Sequence, residues 1–157
     1  MGGLVRIMAG VALAVATVSA AGAQTLDKKV LSLDAARRIA DAAEASAREK
    51  GVGVVIAIVD DGGHLILLHR LDDTQVASVN VGIGKARTAA IYRRPSKDFE
   101  DQIRAGRIAA LALADSTPLQ GGVPIRLDGK VIGAVGVSGD TPQVDEAIAI
   151  AGAAAFK

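Results

Sequence analysis

The sequence predicts an α+β domain, an α/β sandwich in which helices flank a mostly antiparallel sheet. Apolar segments occur in pairs separated by short glycine-containing turns, which is typical of antiparallel hairpins. Segments with apolar residues at helical spacing lie before, between and after these pairs. Separate hairpins joined by helices favour an α+β arrangement over the alternating strand–helix order of a parallel sheet. Since the chain holds no internal repeat, linker or low-complexity tract, we expect a single domain.

Residues 1–23 are predicted to be a secretory signal peptide rather than part of this domain. They contain one Arg, an apolar run at 7–18 and the triplet AGA at 21–23, which is typical of a cleavage site. A membrane-spanning helix is the alternative, but the run is shorter than the ~20 residues that a span needs. No Cys follows it to carry a lipid anchor. We therefore expect a periplasmic or secreted protein of residues 24–157, without a stable membrane anchor after cleavage.

The first helix and the first hairpin are predicted at the start of this domain. Ser32 is placed to cap a helix whose apolar residues recur at helical spacing, and Gly51 is placed to end it. The uninterrupted apolar run VVIAIVD at 54–60 predicts a strand covered on both faces. A turn at 61–63 then returns the chain as the strand HLILLHR.

Two helices are predicted in the middle of the chain. The segment 75–92 has a helical stripe of apolar residues. Gly82 and Gly84 inside it cost about 1 kcal/mol each relative to Ala, unless another backbone or a ligand approaches closely there. Ser96 is predicted to cap a short helix that runs through Arg104.

Three further strands and a last helix complete the prediction. The strands are expected within residues 108–115, 118–127 and 130–140, the last two joined by an Asp128-Gly129 turn. The last helix is predicted to open at Thr141-Pro142, with Pro at its first position.

Composition excludes several classes of function. Removal of Arg6 with the signal peptide leaves 17 of the 18 basic residues against 17 acidic ones, so the net charge of residues 24–157 is near zero. Such a chain offers no electrostatic basis for binding nucleic acid or an anionic membrane. It has no Cys, which excludes thiolate catalysis and Cys-based zinc sites. Both Met residues lie within residues 1–23.

The two histidines, His64 and His69, are the candidate ligands or acid–base groups. Because side chains alternate along a strand, their odd separation predicts that they lie on opposite faces and cannot hold one ion, unless a β-bulge shifts the register. His64 follows a Gly-Gly turn where a ligand can approach, or it is a hydrogen-bonded structural residue. His69 is predicted to make a packing or subunit contact.

Other motifs carry weaker signals. Asp60-Asp61-Gly62-Gly63 lacks the ligand spacing of an EF-hand and is predicted to be a turn. GIGKART at 82–88 lacks the spacing of a phosphate-binding loop and falls inside a helical pattern. Its Lys85 and Arg87 either bind ligand carboxylates or are solvated helix charges.

An ordered set of motifs resembles the GlcG/HbpS-like haem-binding family over nearly all of residues 24–157. The resemblance implies a profilin-like, five-stranded, mostly antiparallel sheet flanked by helices, and assembly into homo-oligomers. It also implies haem binding or haem degradation in some members and catabolic roles in others. His64 matches the family's histidine after Gly-Gly and Lys85 its lysine, whereas many relatives carry another residue at the position of His69. The motifs are VDDGGHL at 59–65, GKARTA at 84–89, GGVPI at 121–125, GAVGVSG at 133–139 and QVDE at 143–146.

These observations predict a haem site centred on His64. Axial ligands to haem iron are usually His, Cys, Met or Tyr, which leaves His64, His69 and Tyr92. We predict that His64 is the iron ligand and that Lys85, Arg87 and Tyr92 complete the cofactor site. Arg93 is a further candidate for the propionates.

Two other classes of function stay open. One is a cofactor-free isomerase, tautomerase or lyase acting on a small oxygenated carboxylate. In that enzyme His64 would be the general base, and Lys85 or Arg87 would stabilise an enolate-like charge. The other is a non-catalytic sensor or assembly module.

Overall fold

A computed structural model describes residues 24–157, and the predicted signal peptide lies outside the described residues. The strands form one antiparallel sheet in the order β2-β1-β4-β3, which confirms the α+β class. Within the described part of the chain, no helix is long and apolar enough to cross a membrane. The elements are α1 (Leu33–Glu49), β1 (Val55–Asp60), β2 (Leu65–Arg70), α2 (Ser78–Ile91), α3 (Lys97–Arg104), a 3-10 helix (Ile108–Ala112), β3 (Gly122–Leu127), β4 (Lys130–Ser138) and α4 (Pro142–Ala154).

Helices cover both faces of the central strand β1, as its continuous apolar run predicts. Ile56 and Ile58 pack in the cluster that contains the buried side chains of α1 and α4. Ala57 and Val59, on the other face, pack against the alanines of α2. The small side chains on the α2 face bring that helix close to the sheet.

Glycines allow the backbone of α2 to lie in direct contact with the sheet. A Cβ built on Gly136 of β4 would lie 2.5 Å from the backbone nitrogen of Ala86 and closer still to the carbonyl oxygen of Gly82. A Cβ on Gly84 would collide with the hydroxyl of Thr117 in the loop before β3. Gly84 is therefore explained by the close approach of protein atoms, without a ligand.

The predicted ends of most elements are confirmed. Ser32 caps α1, accepting a hydrogen bond from the Ala35 backbone nitrogen at 3.2 Å. Thr141 caps α4 in the same way, through Val144. The residues of the β3–β4 turn, Asp128 and Gly129, both have positive φ, as a two-residue hairpin requires.

Ser96 has a different role from the predicted helix cap. Its hydroxyl donates to the carbonyl of Leu119 at 2.5 Å and accepts from the backbone nitrogen of Gly122 at 2.8 Å. Ser96 therefore ties the start of α3 to the loop that leads into β3.

The described sheet has four strands rather than the five expected. The segment 108–115, predicted as a strand, contains the 3-10 helix and then a turn. Alternate positions of IAALALAD are alanines, which have low β-propensity. The segment is also mostly exposed, with Ile108 and Leu111 facing solvent. Apolar composition alone did not distinguish a strand from a short helical turn.

Candidate functional site

The turn between β1 and β2 is built around Asp60. Its Oδ1 accepts hydrogen bonds from the backbone nitrogens of Gly62 at 2.9 Å and His64 at 2.8 Å. Gly63 has a φ of +81°, and its carbonyl accepts a hydrogen bond from Arg87 Nε at 3.2 Å. The turn interpretation of this motif is confirmed, and α2 holds the turn in place.

His64 stands exposed at the tip of this hairpin. Its ring lies across Gly62, because a Cβ built there would be 3.1 Å from the imidazole Cδ2 and 3.3 Å from Nε2. Within residues 24–157 the ring makes no hydrogen bond. Leu65, the next residue, is also exposed. The imidazole is therefore accessible from solvent.

A β-bulge in β2 changes how the two histidines are related. Ile58 of β1 pairs with Leu67, but the next residue, Val59, pairs with Leu65, so Ile66 has no partner. An extra residue of this kind shifts the alternation of side chains on one side of the bulge. The prediction that the histidines lie on opposite faces is therefore wrong.

The histidines occupy the same face of the sheet but different ends of the hairpin. His69 pairs with Ile56, while the carbonyl of His64 accepts from the backbone nitrogen of Asp60 at 2.9 Å. Four residues of β1 separate these partners, a distance of about 13 Å along a strand. The two imidazoles therefore form no common site within one chain.

His69 is held by a carboxylate of α1. Its Nδ1 lies 2.8 Å from Glu44 Oε2, and both side chains are about one quarter exposed. The other carboxylate oxygen, Oε1, accepts from Arg48 Nε at 2.9 Å and Nη2 at 2.6 Å. The hydrogen bond from Arg48 has the largest effect and lowers the pKa of Glu44, and the hydrogen bond with His69 lowers it further. Burial has the opposite effect on this pKa but is outweighed. Glu44 is therefore ionised at neutral pH and fixes the orientation of the His69 ring.

Two adjoining clefts open beside this pair, and together we call them the His69 groove. The smaller, of about 290 Å³, is lined by Glu44, Arg48, His69, Arg70, Leu71 and Asp72. The larger, of about 660 Å³, shares Arg48, Leu71 and Asp72 and adds residues 51–53, Asp73, Gln75 and Gly139. Four residues of the predicted site lie outside both clefts, namely His64, Lys85, Arg87 and Tyr92.

Lys85 is buried and already paired. Its ammonium donates to Asp145 Oδ2 at 2.7 Å and to the carbonyl of Val137 at 2.9 Å, and its side chain is 5% exposed. Val137 lies near the end of β4, whereas His64 lies near Asp60, whose β4 partner is Gly133. Four residues of strand, about 13 Å, separate these two levels. The structure therefore does not bring Lys85 to His64.

Asp145 anchors the loop before α4 as well as Lys85. Its Oδ1 accepts from the backbone nitrogen of Asp140 at 3.1 Å. Burial raises the pKa of Asp145, and the Lys85 ammonium and these hydrogen bonds oppose that shift. The Lys85 charge is therefore compensated within the chain by Asp145.

The remaining predicted residues lie on the α2 side of the domain. Arg87 contacts the turn that carries His64, as described above. Tyr92 donates its hydroxyl proton to the carbonyl of Ala114 at 2.7 Å and packs edge-on against Phe99 at a centroid distance of 5.1 Å. Arg87 thus contacts the turn that carries His64, whereas Tyr92 binds the segment that follows the 3-10 helix.

Comparison with known proteins identifies the family. A family model described as "Haem degrading protein HbpS-like" matches residues 31–154. The chain belongs to the HbpS-like family. GlcG of Escherichia coli K12 is 43% identical over 111 residues, which cover 71% of this chain and 83% of GlcG.

Solved structures agree with this HbpS-like assignment. A double mutant of Streptomyces reticuli HbpS superposes with a TM-score of 0.78 at 29% identity, covering 92% of this chain and 99% of that one. The structure of a PduOC–haem complex superposes with a TM-score of 0.75 at 26% identity, covering 82% and 96% of the two chains.

Two residues that bind predicted site residues or the second histidine are not predicted from the sequence. These residues are Asp145 of α4 and Glu44 of α1, and neither is among the site residues that the sequence predicts. The burial of Lys85, which shows only in the folded chain, indicates that a carboxylate partner was needed. No comparable signal in the sequence links Glu44 to His69, because 25 residues separate them.

Proposed function

We propose that this chain binds haem, or a related iron porphyrin, through an imidazole nitrogen. The observation that carries the proposal is that both imidazoles reach the surface while the other predicted site residues are occupied. Lys85 is paired with Asp145, Arg87 with the Gly63 carbonyl and Tyr92 with Ala114. Family membership and the haem complex of a structural relative support the same cofactor.

The donor set of the chain fits haem iron. Residues 24–157 contain no Cys or Met, and imidazole is a common axial ligand. Phe99 is fully buried, so it offers no face for stacking on a porphyrin. Contacts with the ring would therefore come from aliphatic side chains, and arginines would meet the propionates. Bound haem would supply a redox-active iron, and the chain would position it. Degradation of that haem, which the family description names, is the finer form of this proposal.

Titration of the purified protein with hemin tests whether the chain binds haem through a histidine. The wild-type protein is expected to shift the Soret band with saturable stoichiometry, because an imidazole enters the iron coordination sphere. The His64→Ala/His69→Ala double variant is expected to lose that shift. Tyr92→Phe, which removes only a hydroxyl bonded within the protein, serves as the matched control and should titrate as wild type. An unshifted Soret band in the wild type would refute haem binding.

A cofactor-free enzyme is the second candidate, and one observation favours it. The Glu44 carboxylate holds His69 in one tautomer beside a polar groove, which is the arrangement of a general base. Proton transfer on a small oxygenated carboxylate would then involve His69 rather than the predicted His64. The sensor or assembly role has no specific observation in its favour.

We also propose that the protein is exported and self-associates. Ile108 and Leu111 are 70% and 65% exposed, and residues three apart eclipse each other on a 3-10 helix. They form an apolar ridge suited to contact with a second copy. The form recovered outside the cytoplasm is expected to begin at Gln24 and to have a multiple of the protomer mass, as measured by mass spectrometry and light scattering. A full-length or monomeric product would contradict this.

A further inference from the structure

We infer that the His69 groove is a proton-transfer site for a small, uncharged hydroxycarbonyl compound, with His69 as the general base and Glu44 as its positioning residue. The inference rests on the second candidate function, the cofactor-free enzyme, and names its substrate class. It differs from the sequence-based expectation, in which the substrate is a carboxylate. It does not depend on haem binding.

The hydrogen bond to Glu44 determines which nitrogen of His69 can accept a proton. Nδ1 of the ring lies 2.8 Å from Glu44 Oε2. Because Glu44 is ionised at neutral pH, its carboxylate can only accept, so Nδ1 carries the proton. Nε2 is left with its lone pair and makes no hydrogen bond within residues 24–157. His69 therefore offers a basic nitrogen in one tautomer.

Both members of this pair are held in position. Arg48 Nε and Nη2 donate to the other oxygen of Glu44 at 2.9 and 2.6 Å. His69 is anchored in β2 by its pairing with the fully buried Ile56 of β1. A base held in one geometry transfers a proton at a lower entropic cost than a base free in solution. The exposed ring of His64 makes no comparable hydrogen bond within residues 24–157.

The groove beside the ring fits a small polar substrate. Its two clefts, of about 290 and 660 Å³, are open and mostly polar. Among the lining side chains only Val52 and Leu71 are apolar, so a large apolar ligand would leave most of its surface in water. Hydroxyl groups, in contrast, can donate to the carboxylates of Asp72 and Asp73 and to the amide oxygen of Gln75.

The charge of the groove disfavours an anionic substrate. Its charged lining consists of two guanidinium groups and three carboxylates, from Arg48, Arg70, Glu44, Asp72 and Asp73. This leaves a net charge of −1 while His69 is neutral. Both arginines are already bonded, Arg48 to Glu44 and Arg70 to the carbonyl of Thr74 at 3.0 Å. A substrate carboxylate or phosphate would therefore be repelled, whereas an uncharged molecule would not.

The reaction that follows is reversible removal of a proton from the carbon next to a carbonyl group. His69 Nε2 takes the proton, the C–H bond breaks, and its electron pair moves to the carbonyl oxygen to form an enolate. The negative charge of Glu44 stabilises the imidazolium, and water in the open groove can donate to the enolate oxygen. Return of a proton from Nε2 to carbon regenerates the base, so no oxidant or other reactant is consumed.

Deuterium exchange in D₂O measures this step directly, because the imidazolium exchanges its proton with the solvent. Hydroxyacetone is the uncharged probe and pyruvate is the matched anionic probe, each followed by proton NMR. We expect the wild-type protein to accelerate exchange of hydroxyacetone and to leave pyruvate near the protein-free rate. His69→Gln, which can still donate to Glu44, is expected to lower the catalysed rate by about 10²–10⁴-fold. Thermal unfolding verifies that each variant is folded.

Two further variants distinguish a chemical role from a structural one. In His69→Ala, added imidazole is expected to restore part of the exchange above the rate with imidazole alone, which the loss of a structural contact would not allow. Glu44→Gln is expected to lower kcat by roughly 10–100-fold with KM unchanged, because the charge of Glu44 acts on the imidazolium that forms only during the reaction. Arg37→Gln, on the exposed face of the same helix, is the control and should change neither constant.

Asp72→Asn tests the charge argument. Asp72 lines both clefts, and its removal lowers the repulsion of an anionic probe. We expect the rate for pyruvate to rise relative to that for hydroxyacetone by roughly fivefold. An unchanged ratio of the two rates would contradict the selection against anions.

The outcomes separate the substrate class and the base from the function. Exchange of pyruvate but not of hydroxyacetone, lost in His69→Gln, would overturn the substrate class and leave the enzyme in place. Exchange that survives in His69→Gln and is lost in His64→Ala would overturn the assignment of the base. An unchanged kcat in Glu44→Gln would overturn its positioning role. Absence of exchange with both probes in the wild type would overturn the candidate enzyme together with this inference, and haem binding would be unaffected.

Discussion

Asp145→Ala is expected to lower the free energy of unfolding by about 3–5 kcal/mol, the usual cost of breaking a buried ion pair. The substitution leaves the Lys85 ammonium, which is 5% exposed, without its carboxylate. Only the carbonyl of Val137 would remain as a hydrogen-bond partner of that ammonium within the described chain. The backbone nitrogen of Asp140 would also lose its acceptor. Denaturant unfolding followed by circular dichroism measures the loss.

Two variants show whether the buried charge is the cause. The Lys85→Met/Asp145→Asn double variant removes both charges at similar volume and is expected to recover most of the lost stability, because buried pairs are often replaceable by neutral residues. The Lys97–Asp101 pair joins the same residue types on the surface of α3. Asp101→Ala should therefore cost below about 1 kcal/mol. Equal losses at Asp101 and Asp145 would contradict the burial argument.

The pH dependence of the Asp145 contribution has a defined sign. Burial raises the pKa of this carboxyl above its ordinary value, and Lys85 opposes the shift. A carboxyl whose pKa is raised on folding contributes its full stability below the ordinary pKa. That contribution then declines as the pH rises through the raised value. The Asp145 carboxyl is thus expected to contribute less net stability at neutral pH than at acidic pH.

Gly136→Ala is expected to destabilise the domain by at least about 3 kcal/mol, at the upper end of the cost of overpacking. The new Cβ would meet backbone atoms of Gly82 and Ala86 in α2, and neither can rotate away. The helix would have to move off the sheet along the contact between α2 and β4. Thermal unfolding and hydrogen exchange of α2 amides measure the effect.

Gly82→Ala is the matched control on the other side of this contact. Its Cβ would lie 3.1 Å from a methyl carbon of Val55, a side-chain atom with some freedom to move. The substitution also gains helix propensity of about 1 kcal/mol relative to Gly. We expect a change near zero. A loss of stability as large as that of Gly136→Ala would contradict the argument. It would show that any added methyl group between α2 and the sheet is destabilising, whether it meets backbone or side-chain atoms.

Much of the secondary structure follows from local patterns. The caps at Ser32 and Thr141, the Asp128-Gly129 turn and the buried strand β1 depend on residues close in sequence, and all occur as predicted. The 3-10 helix at Ile108–Ala112 does not. Its continuous apolar run is compatible with a strand, but the segment is largely exposed and pairs with no strand of the described sheet.

The site was predictable in part. The turn that presents His64 occurs as the motif indicates, and Arg87 donates a hydrogen bond to it. The relation between His64 and His69 was not predictable, because one bulged residue, Ile66, reverses the alternation on which the prediction depended.

By itself, the sequence determined the class of fold, the family and the residue types available to hold a ligand. These depend on short-range patterns and composition, which each segment carries independently of its neighbours. Only the tertiary structure decided how the charged and titratable side chains pair. Lys85 meets Asp145 and His69 meets Glu44 across 60 and 25 residues of chain, respectively. Such pairs depend on how helices pack on the sheet, so they become visible only when the packing is known.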